Sequence, residues 1–183
     1  KQDVCVNCGK CVSVCPVGIH QISKEELRHV VDHTVQCIGC RKCTEVCPTR
    51  ALQIMGEEKT ISELLEIVKE DRMCYEQSGG RVTLGGGEVT MQPEAARRLL
   101  QACKLEGINT AIETCGYTKK EDLLRIAEFV DLFLFDLKQF NPEDHSKWTG
   151  VRNERILDNL QELLHRRYNV KIRMPLLKGV NDG

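Results

Sequence analysis

Residues 5–16 read CVNCGKCVSVCP, and residues 37–48 read CIGCRKCTEVCP. Both stretches have the spacing Cys-x2-Cys-x2-Cys-x3-Cys-Pro, and the second repeats the first with Cys37 in the place of Cys5. Eight of the eleven cysteines of the chain lie in these two runs. Because the two runs share one spacing, we interpret their cysteines as thiolate ligands in a reducing compartment, not as a disulfide framework.

This spacing is typical of proteins that bind two 4Fe–4S clusters. The first three cysteines of a run wrap one cluster, and the fourth, which precedes proline, binds the neighbouring cluster. We therefore assign cluster A to Cys5, Cys8, Cys11 and Cys47, and cluster B to Cys37, Cys40, Cys43 and Cys15. A pair of zinc sites is the alternative, but such sites usually combine two Cys-x2-Cys hooks. Residues 1–55 are predicted to form a dicluster ferredoxin-like domain, in which His29 and His33 are surface or packing residues.

Composition excludes several classes of function. The 183 residues include 26 Lys+Arg and 27 Asp+Glu, so the formal net charge is −1, and aromatic residues make up only 4%. This balance gives no electrostatic reason to expect nucleic acid or an anionic membrane as a partner. No apolar run reaches the ~18 residues that a membrane-spanning helix needs. Because cluster thiolates are sensitive to oxygen, we expect a cytoplasmic protein of an anaerobic or facultative cell.

The second part of the chain alternates between helical and strand patterns. Four apolar segments, at 81–84, 108–113, 130–138 and 169–177, each follow a helical pattern, predicted at 61–77, 93–106, 119–129 and 153–166. Capping boxes at Thr60–Glu63 and Thr118–Glu121 mark the starts of two of these helices. This rhythm predicts a parallel α/β sheet, either a barrel or an open sheet. In both architectures the chemistry lies at the carboxyl ends of the strands.

Glycines and charged residues lie at those four strand ends. They are Gly85–Gly87 with Glu88, then Glu113, then Asp136 with Lys138, and Arg173 within the last apolar segment. A glycine run exposes backbone N–H groups, Glu88 can accept bonds from an ammonium group, and Lys138 and Arg173 can bind a carboxylate. The set suits a zwitterionic ligand that resembles an amino acid. A tight turn beside a purely structural network of ion pairs remains the alternative.

Four stretches carry a resemblance to a known family. They are VTLGGGE at 82–88, AIETCG at 111–116, LFDLK at 134–138 and IRMPLLKGVND at 172–182. Together they closely resemble the radical S-adenosylmethionine (SAM) enzymes that activate glycyl radical enzymes. The resemblance covers essentially the whole chain. It implies an α/β fold: a partial (β/α) barrel of the radical SAM type over residues 56–183, with an inserted dicluster ferredoxin-like domain over residues 1–55.

The resemblance also implies roles for the residues at the strand ends. Gly86, Gly87 and Glu88 match the Gly-Gly-Glu motif that holds the methionine amino group of SAM. Asp136, Leu137 and Lys138 match an Asp-Leu-Lys motif near the methionine portion, Glu113 matches an acidic position there, and Arg173 a basic one. The proline that often follows Gly-Gly-Glu is Val89 here, which removes rigidity but no ligand.

The family's signature Cys-x3-Cys-x2-Cys does not occur in the 183 residues. In the family those cysteines hold a third 4Fe–4S cluster, which binds and reduces SAM. The motif precedes the ferredoxin insert in such enzymes, so we expect it upstream of Lys1. The chain is then a fragment of the activating enzyme, and the isolated fragment is expected to be inactive.

The resemblance implies a radical mechanism for the complete protein. A one-electron donor such as flavodoxin or ferredoxin reduces the clusters, and SAM is cleaved to methionine and a 5′-deoxyadenosyl radical. That radical takes a hydrogen atom from a glycine of the partner enzyme. Two alternatives stay open: a radical SAM enzyme that acts on a small molecule or activates ribonucleotide reductase, and a non-catalytic iron–sulfur module for electron transfer or docking.

Overall fold

The computed structural model describes residues 1–181. The chain forms two compact units, Lys1–Glu58 and a second unit that begins at Lys59. Among the described residues, no helix has both the length and the apolar character needed to cross a membrane.

The first unit is small and contains little regular structure. A 3₁₀ turn, Gln2–Val4, precedes helices α1 (Lys10–Val14) and α2 (Lys42–Glu45) and strands β1 (His20–Ile22) and β2 (His29–Val31). The strands pair antiparallel, with His20 opposite Val31 and Ile22 opposite His29. Within residues 1–58, all of which the structure describes, Ile19 and Ala51 are the only buried apolar residues. Because so small a core contributes little stability, the unit needs another source of it.

The two cysteine runs follow the same backbone path. Three pairs of equivalent positions in the repeat all have the left-handed conformation: Asn7 (φ 51°) and Gly39 (67°), Gly9 (72°) and Arg41 (64°), Gly18 (71°) and Arg50 (54°). This conformation is unusual for a residue other than glycine. The internal repeat of the sequence is therefore also a repeat of the backbone conformation, whichever residue occupies each position.

The second unit is built on a four-stranded parallel sheet. Its strands are β3 (Val82–Leu84), β4 (Thr110–Thr114), β5 (Leu132–Asp136) and β6 (Val170–Arg173). Its helices are α3 (Ile61–Glu70), α4 (Arg72–Ser78), α5 (Pro93–Leu105), α6 (Lys120–Ala127), α7 (Pro142–Thr149) and α8 (Glu154–His165), with a 3₁₀ turn at Val89–Met91. The strands lie side by side in chain order. All four carboxyl ends therefore lie at one edge of the sheet.

The helices that form the core pack on one face of this sheet. Ile112, Phe133 and Phe135 contact buried residues of α5, α6 and α8, and Val82 packs with residues of α3 and α5. Side chains alternate along a strand, so Glu113 and Asp136 belong to the opposite face. Strands in chain order with core helices on one side are the arrangement of a barrel segment, whereas a doubly wound sheet has helices on both sides.

The local structure departs from the sequence pattern at several places. The predicted helix at 61–77 is broken at Asp71, whose backbone N–H bonds to Val68 and Lys69 and tightens the last turn of α3. Helix α7 was not predicted, and the strands are shorter than their apolar segments. The Thr60–Glu63 capping box is confirmed, because each residue's side chain accepts the other's backbone N–H.

The second predicted capping box is wrong. Helix α6 starts after Lys119 without a side-chain cap. The backbone of Thr118 is held elsewhere: its N–H donates to the carbonyl of Gly116 at 3.0 Å, and its carbonyl accepts from Asn159 Nδ2 at 2.9 Å.

Candidate metal centres and strand-end site

Four cysteines of the first unit line a single cavity of about 160 Å³. They are Cys5, Cys8, Cys11 and Cys47, the same four residues that the spacing assigns to cluster A. Three of these cysteines come from the first run and one comes from the second. The fold therefore brings the two runs together, as it must if the fourth cysteine of one run binds the cluster of the other. Pro48 and Thr49 also line the cavity, which places the segment after Cys47 against it.

Two cysteines of the set assigned to cluster B, Cys15 and Cys40, lie near Cys43. Burial raises the pKa of the Cys43 thiol, and the neighbouring Cys15 and Cys40 sulfurs raise it further, while nearby backbone N–H groups oppose the rise. The influence of Cys15 shows that the fourth cysteine of the first run lies near the second run. The backbone N–H of Gly39 donates to Cys37 Sγ at 3.4 Å.

The fourth cysteine of each run is surrounded by backbone N–H groups. Burial alone would raise the pKa of Cys15, but N–H groups of the segment from Val17 to His20 lower it. The pKa of Cys47 is lowered first by the N–H of Leu52 and then by Thr49 and Ala51. Donors directed at sulfur favour the thiolate form, which is the form that binds iron.

These residues fit iron–sulfur clusters. All eight cysteines of the runs are free of disulfides, thiolates are the ligands that iron–sulfur clusters take, and two of them already lie in positions that favour deprotonation. Either set supplies four sulfurs, the number that one 4Fe–4S cluster needs.

At the strand ends, four charged side chains form one network. Arg173 donates to Glu113 Oε1 at 2.7 Å and to Asp136 Oδ1 at 2.9 Å. Lys138 donates to the other oxygen of Asp136 at 3.2 Å. Two positive and two negative groups therefore balance each other across β4, β5 and β6.

The network is partly open to solvent. The side chains of Arg173 and Glu113 are 37% and 39% exposed. Burial alone would raise the pKa of Asp136, but its bonds from Arg173 and Lys138 outweigh that effect and hold the pKa below its ordinary value. The Asp136 carboxylate thus stays charged, and the group as a whole can exchange partners with a charged ligand.

The glycine loop after β3 lies beside this network. Gly86 has φ 116°, a conformation that side chains rarely adopt, and a Cβ on Gly85 would lie 3.2 Å from Glu113 Oε2. The backbone conformation therefore favours glycine at position 86, and a side chain at position 85 would have to displace the Glu113 carboxylate. The loop leaves its backbone open to a ligand that binds Glu113.

The Glu88 carboxylate has a different setting from the one that the sequence suggested. Its Oε1 accepts bonds from the N–H and hydroxyl of Thr90 and from the hydroxyl of Thr114, at 3.1, 2.9 and 2.7 Å. Its Oε2 accepts the N–H of Cys115 at 2.9 Å. Burial alone would raise the pKa of Glu88, but these bonds lower it below its ordinary value. Glu88 therefore ties the end of β3 to the end of β4, and only Oε2 has room for another donor.

Leu137 differs from its neighbours in the motif. Its side chain is 4% exposed and packs in the core with Phe135, while its N–H donates to the carbonyl of Arg173 at 2.9 Å. Only its backbone can reach a ligand.

Sequence reasoning missed the polar residues that support the site. Thr114 is 2% exposed and Asn159 1% exposed. Asn159 Nδ2 donates to the carbonyls of Gly116 and Thr118 at 2.8 and 2.9 Å, which fixes the loop after β4. An asparagine among the leucines of an amphipathic helix is a signal for such a role, because a buried amide needs partners.

Comparisons with known proteins agree with this geometry. Residues 38–183 match the profile of the Radical SAM superfamily, and residues 1–54 match that of a 4Fe-4S dicluster domain. The chain therefore belongs to the radical SAM superfamily, and its α/β barrel class and its iron–sulfur and SAM cofactors follow from that membership.

Two similar proteins are activating enzymes. The choline trimethylamine-lyase activating enzyme of Oleidesulfovibrio alaskensis is 62% identical over 183 residues, 100% of this chain and 59% of that protein. The trans-4-hydroxy-L-proline dehydratase activating enzyme of Clostridioides difficile is 41% identical over 98% of this chain and 59% of its own length. The chain thus spans 59% of the length of these two relatives.

A solved structure adds to the likeness. A domain of the pyruvate-formate lyase-activating enzyme from Bacteroides vulgatus is 34% identical, covers 56% of this chain and 63% of its own, and superposes with a TM-score of 0.52. The resemblance to activating enzymes that the sequence motifs indicated is confirmed.

Proposed function

We propose that the protein reductively cleaves SAM and thereby generates a glycyl radical on a partner enzyme. The observation that carries this proposal is the balanced network of Glu113, Asp136, Lys138 and Arg173 at the strand ends, in one chain with two cysteine runs. The 62% identity with a choline trimethylamine-lyase activating enzyme supports it.

The strand-end residues would hold the methionine portion of SAM. Its carboxylate binds Arg173 or Lys138, and its ammonium group binds Glu113, Asp136 or the backbone of Gly86 and Gly87. Because a zwitterion carries one charge of each sign, it replaces internal ion pairs without leaving an uncompensated charge. Glu88 mainly holds the ends of β3 and β4 together, since Thr90, Thr114 and Cys115 already occupy most of its acceptor sites.

The eight cysteines would hold two 4Fe–4S clusters, with Cys47 in cluster A and Cys15 in cluster B. When bound, such clusters supply single electrons. The exchanged cysteines attach each cluster to the cysteine loop of the other run, and the N–H groups around Cys15 and Cys47 favour the thiolate form of both sulfurs. A third cluster, on an upstream Cys-x3-Cys-x2-Cys, and a donor such as flavodoxin or ferredoxin complete the proposal, in the reducing cytoplasm that free thiolates require.

The partner that we propose is a glycyl radical enzyme of the choline trimethylamine-lyase kind. The support is comparative: identity is 62% with the activating enzyme of that lyase and 41% with the activating enzyme of a hydroxyproline dehydratase, each over nearly all of this chain.

The test is anaerobic activation by the full-length protein, reconstituted with iron and sulfide. It is mixed with SAM, dithionite and a choline trimethylamine-lyase, and 5′-deoxyadenosine is measured together with the electron paramagnetic resonance (EPR) signal of a glycyl radical. Both products are expected. SAM cleavage without a protein radical indicates an enzyme that acts on a small molecule, and binding of SAM without cleavage indicates a non-catalytic module. Activation by Cys40→Ala at an unchanged rate, with a flavodoxin as reductant, would count against a role for cluster B.

A further inference from the structure

The β1–β2 hairpin presents one face to the cavity assigned to cluster A. Ile22, His29 and Val31 line that cavity together with Cys11. His20 pairs directly with Val31, and residues directly opposite each other in an antiparallel pair lie on the same face. His20 and His29 are thus diagonal neighbours on the hairpin face that covers the cysteines.

The two histidines form a buried pair. His20 is 4% exposed and His29 7% exposed. His20 Nδ1 and His29 Nε2 lie 3.0 Å apart, so one ring donates a hydrogen bond to the other. One ring nitrogen of each histidine and the Cys11 sulfur all lie within 4.8 Å of one another.

The cysteine loop itself holds this pair in place. The N–H of His29 donates to Asn7 Oδ1 at 2.9 Å, and its carbonyl accepts from Gln2 Nε2 at 3.2 Å. Asn7 lies between Cys5 and Cys8, so the strand that carries His29 is attached to the segment that supplies two cysteines of the same cavity. Hydrogen bonds to the backbone of His29 therefore fix the position of its strand relative to the cysteine loop.

A count of protons shows that the pair has one N–H to spare. Each neutral imidazole carries one N–H group, so the two rings carry two N–H groups between them. One is used in the bond between the rings, so the other lies on His20 Nε2 or on His29 Nδ1. His20 Nε2 is buried and has no hydrogen-bond partner among the described residues, which is costly for a polar atom. Each ring has one nitrogen within 4.8 Å of the Cys11 sulfur, so the spare N–H lies on a ring next to that sulfur in either case.

We propose that the His20–His29 pair donates a hydrogen bond to the Cys11 sulfur or to the adjacent sulfide of cluster A. This bond holds cluster A at a higher reduction potential than cluster B. A donor at sulfur stabilises the reduced, more negative cluster more than the oxidised one. The inference rests on the proposed assignment of Cys5, Cys8, Cys11 and Cys47 to cluster A.

The internal repeat shows why the two clusters differ. In the register that places Cys5 on Cys37, Cys11 corresponds to Cys43 and His20 to Leu52, which has no N–H in its side chain. Among residues 1–181, Cys11, His20 and His29 are the only three metal-ligating side chains whose ligand atoms all lie within 4.8 Å of one another. The environment of Cys43 therefore lacks a counterpart of the histidine pair.

The first test uses the full-length protein without substitution, labelled with histidine that carries ¹⁵N only in its imidazole ring, and reduced. Pulsed EPR detects nitrogen nuclei near the cluster, and a weak ¹⁵N coupling is expected. A strong coupling, as for a nitrogen bound directly to iron, or no histidine coupling at all would overturn the inference. Iron analysis is done on the same sample: a chain that does not hold two clusters contradicts the cluster assignment, whereas two clusters without a histidine coupling contradict only this inference.

The second test is a potentiometric titration of the double variant His20→Leu, His29→Leu. At a fixed applied potential the ratio of reduced to oxidised cluster A is expected to fall about tenfold, which is a lowering of its reduction potential by about 59 mV for a one-electron couple. The reduction potential of cluster B is expected to stay unchanged. The control variant His33→Leu removes an exposed histidine nearby and should change neither reduction potential. Unchanged reduction potentials in a fully loaded double variant overturn the inference; if the variant loses iron, the ¹⁵N coupling decides.

Discussion

The guanidinium group of Arg173 joins three strands, because from the end of β6 it bonds Glu113 on β4 and Asp136 on β5. Two separate N–H directions are used, one for each carboxylate. A lysine ammonium is a compact charge without this fork, so it cannot reproduce both bonds with the same geometry. The site's charge balance thus depends on one side chain of a specific shape.

Replacing Arg173 by lysine is expected to weaken SAM binding at least tenfold. The lysine loses one of the two charge-assisted hydrogen bonds that the guanidinium fork makes, and such bonds are stronger than neutral ones. Calorimetric titration of the full-length protein measures the dissociation constant. The matched control is Arg152→Lys, because Arg152 also bonds two glutamates, Glu143 and Glu154, at an exposed position. Equal affinities for the two variants would remove Arg173 from the proposed site.

Phe135, on the neighbouring strand, leaves no room for a side chain at position 116. A Cβ built at this position lies 2.3 Å from the Phe135 ring, and the backbone has φ 72°. Gly116→Ala combines left-handed strain of about 1–2 kcal/mol with overpacking of about 1–3 kcal/mol. We expect a loss of about 2–5 kcal/mol in the free energy of unfolding by urea.

Gly107→Ala separates the two causes of that loss. Gly107 has φ 73°, but a Cβ there meets nothing within 4 Å. Its substitution should cost only the strain, about 1–2 kcal/mol. Similar losses at both positions would show that Phe135 moves aside freely.

At the scale of elements, Glu88 connects the ends of β3 and β4. Its carboxylate accepts from Thr90 in the turn that follows β3 and from Thr114 and Cys115 at the end of β4. The glycine loop between Leu84 and Glu88 is therefore anchored at both ends. The bonds of Glu88 thus keep the backbone of the glycine loop in place beside Glu113.

The Glu88 anchor predicts a dependence of stability on pH. The bonds to Glu88 lower its pKa in the folded state, so their contribution is fully present above its unfolded value of about 4.3 and is lost as pH falls through the folded value. Glu88→Gln should cost about 2 kcal/mol at pH 7, since the amide loses one acceptor oxygen. This cost should shrink as the pH falls below 4.

Urea unfolding of both proteins at a series of pH values measures this difference. Glu121→Gln, at an exposed position in the first turn of α6, is the control and should change the free energy of unfolding little at any pH. A cost of Glu88→Gln that stays constant down to pH 3 would contradict the anchor.

The sequence predicted the elements whose signals are periodic or spaced regularly. The cysteine spacing predicted that the fourth cysteine of one run lies with the first three of the other, and Cys47 does line one cavity with Cys5, Cys8 and Cys11. The apolar rhythm predicted the parallel strands. Helix α7 was missed because its sequence, PEDHSKWT, has no apolar periodicity, although Asn141 before Pro142 is a start signal and Asn141 Oδ1 does cap the helix. The β1–β2 hairpin was missed because such short strands show too little alternation.

Side-chain contacts between distant residues lay beyond the sequence pattern. Glu88 was assigned to the ligand, yet its bonds to Thr114 and Cys115 join residues that only tertiary structure brings near. The His20–His29 pair was missed for the same reason: two strands must pair before the rings meet. Motifs predict which strand end a residue occupies, whereas folding decides which neighbour it bonds.

At the scale of the whole molecule, the two units differ in what stabilises them. The second unit has a core of buried aromatic and aliphatic residues around Phe133 and Phe135. The first has Ile19 and Ala51, so bound metal must supply much of its folding free energy.

Removal of iron should therefore unfold one unit and leave the other intact. After treatment with a chelator, we expect amides of residues 1–58 to exchange with solvent rapidly, while those of β4 and β5 stay protected. Hydrogen exchange read by mass spectrometry compares the two units in one sample. Protection of residues 1–58 without iron, or loss of protection in β4 and β5, would contradict this division.

The recurrence of left-handed backbone at equivalent positions of the two cysteine runs has a consequence for the history of the first unit. Gly18 and Arg50 share a conformation that suits the glycine and strains the arginine, so the side chain did not determine the shape at both places. The simplest account is the duplication of one ancestral segment that once paired with an identical copy of itself. Divergence then altered the side chains of the two copies, while the backbone path of each was kept.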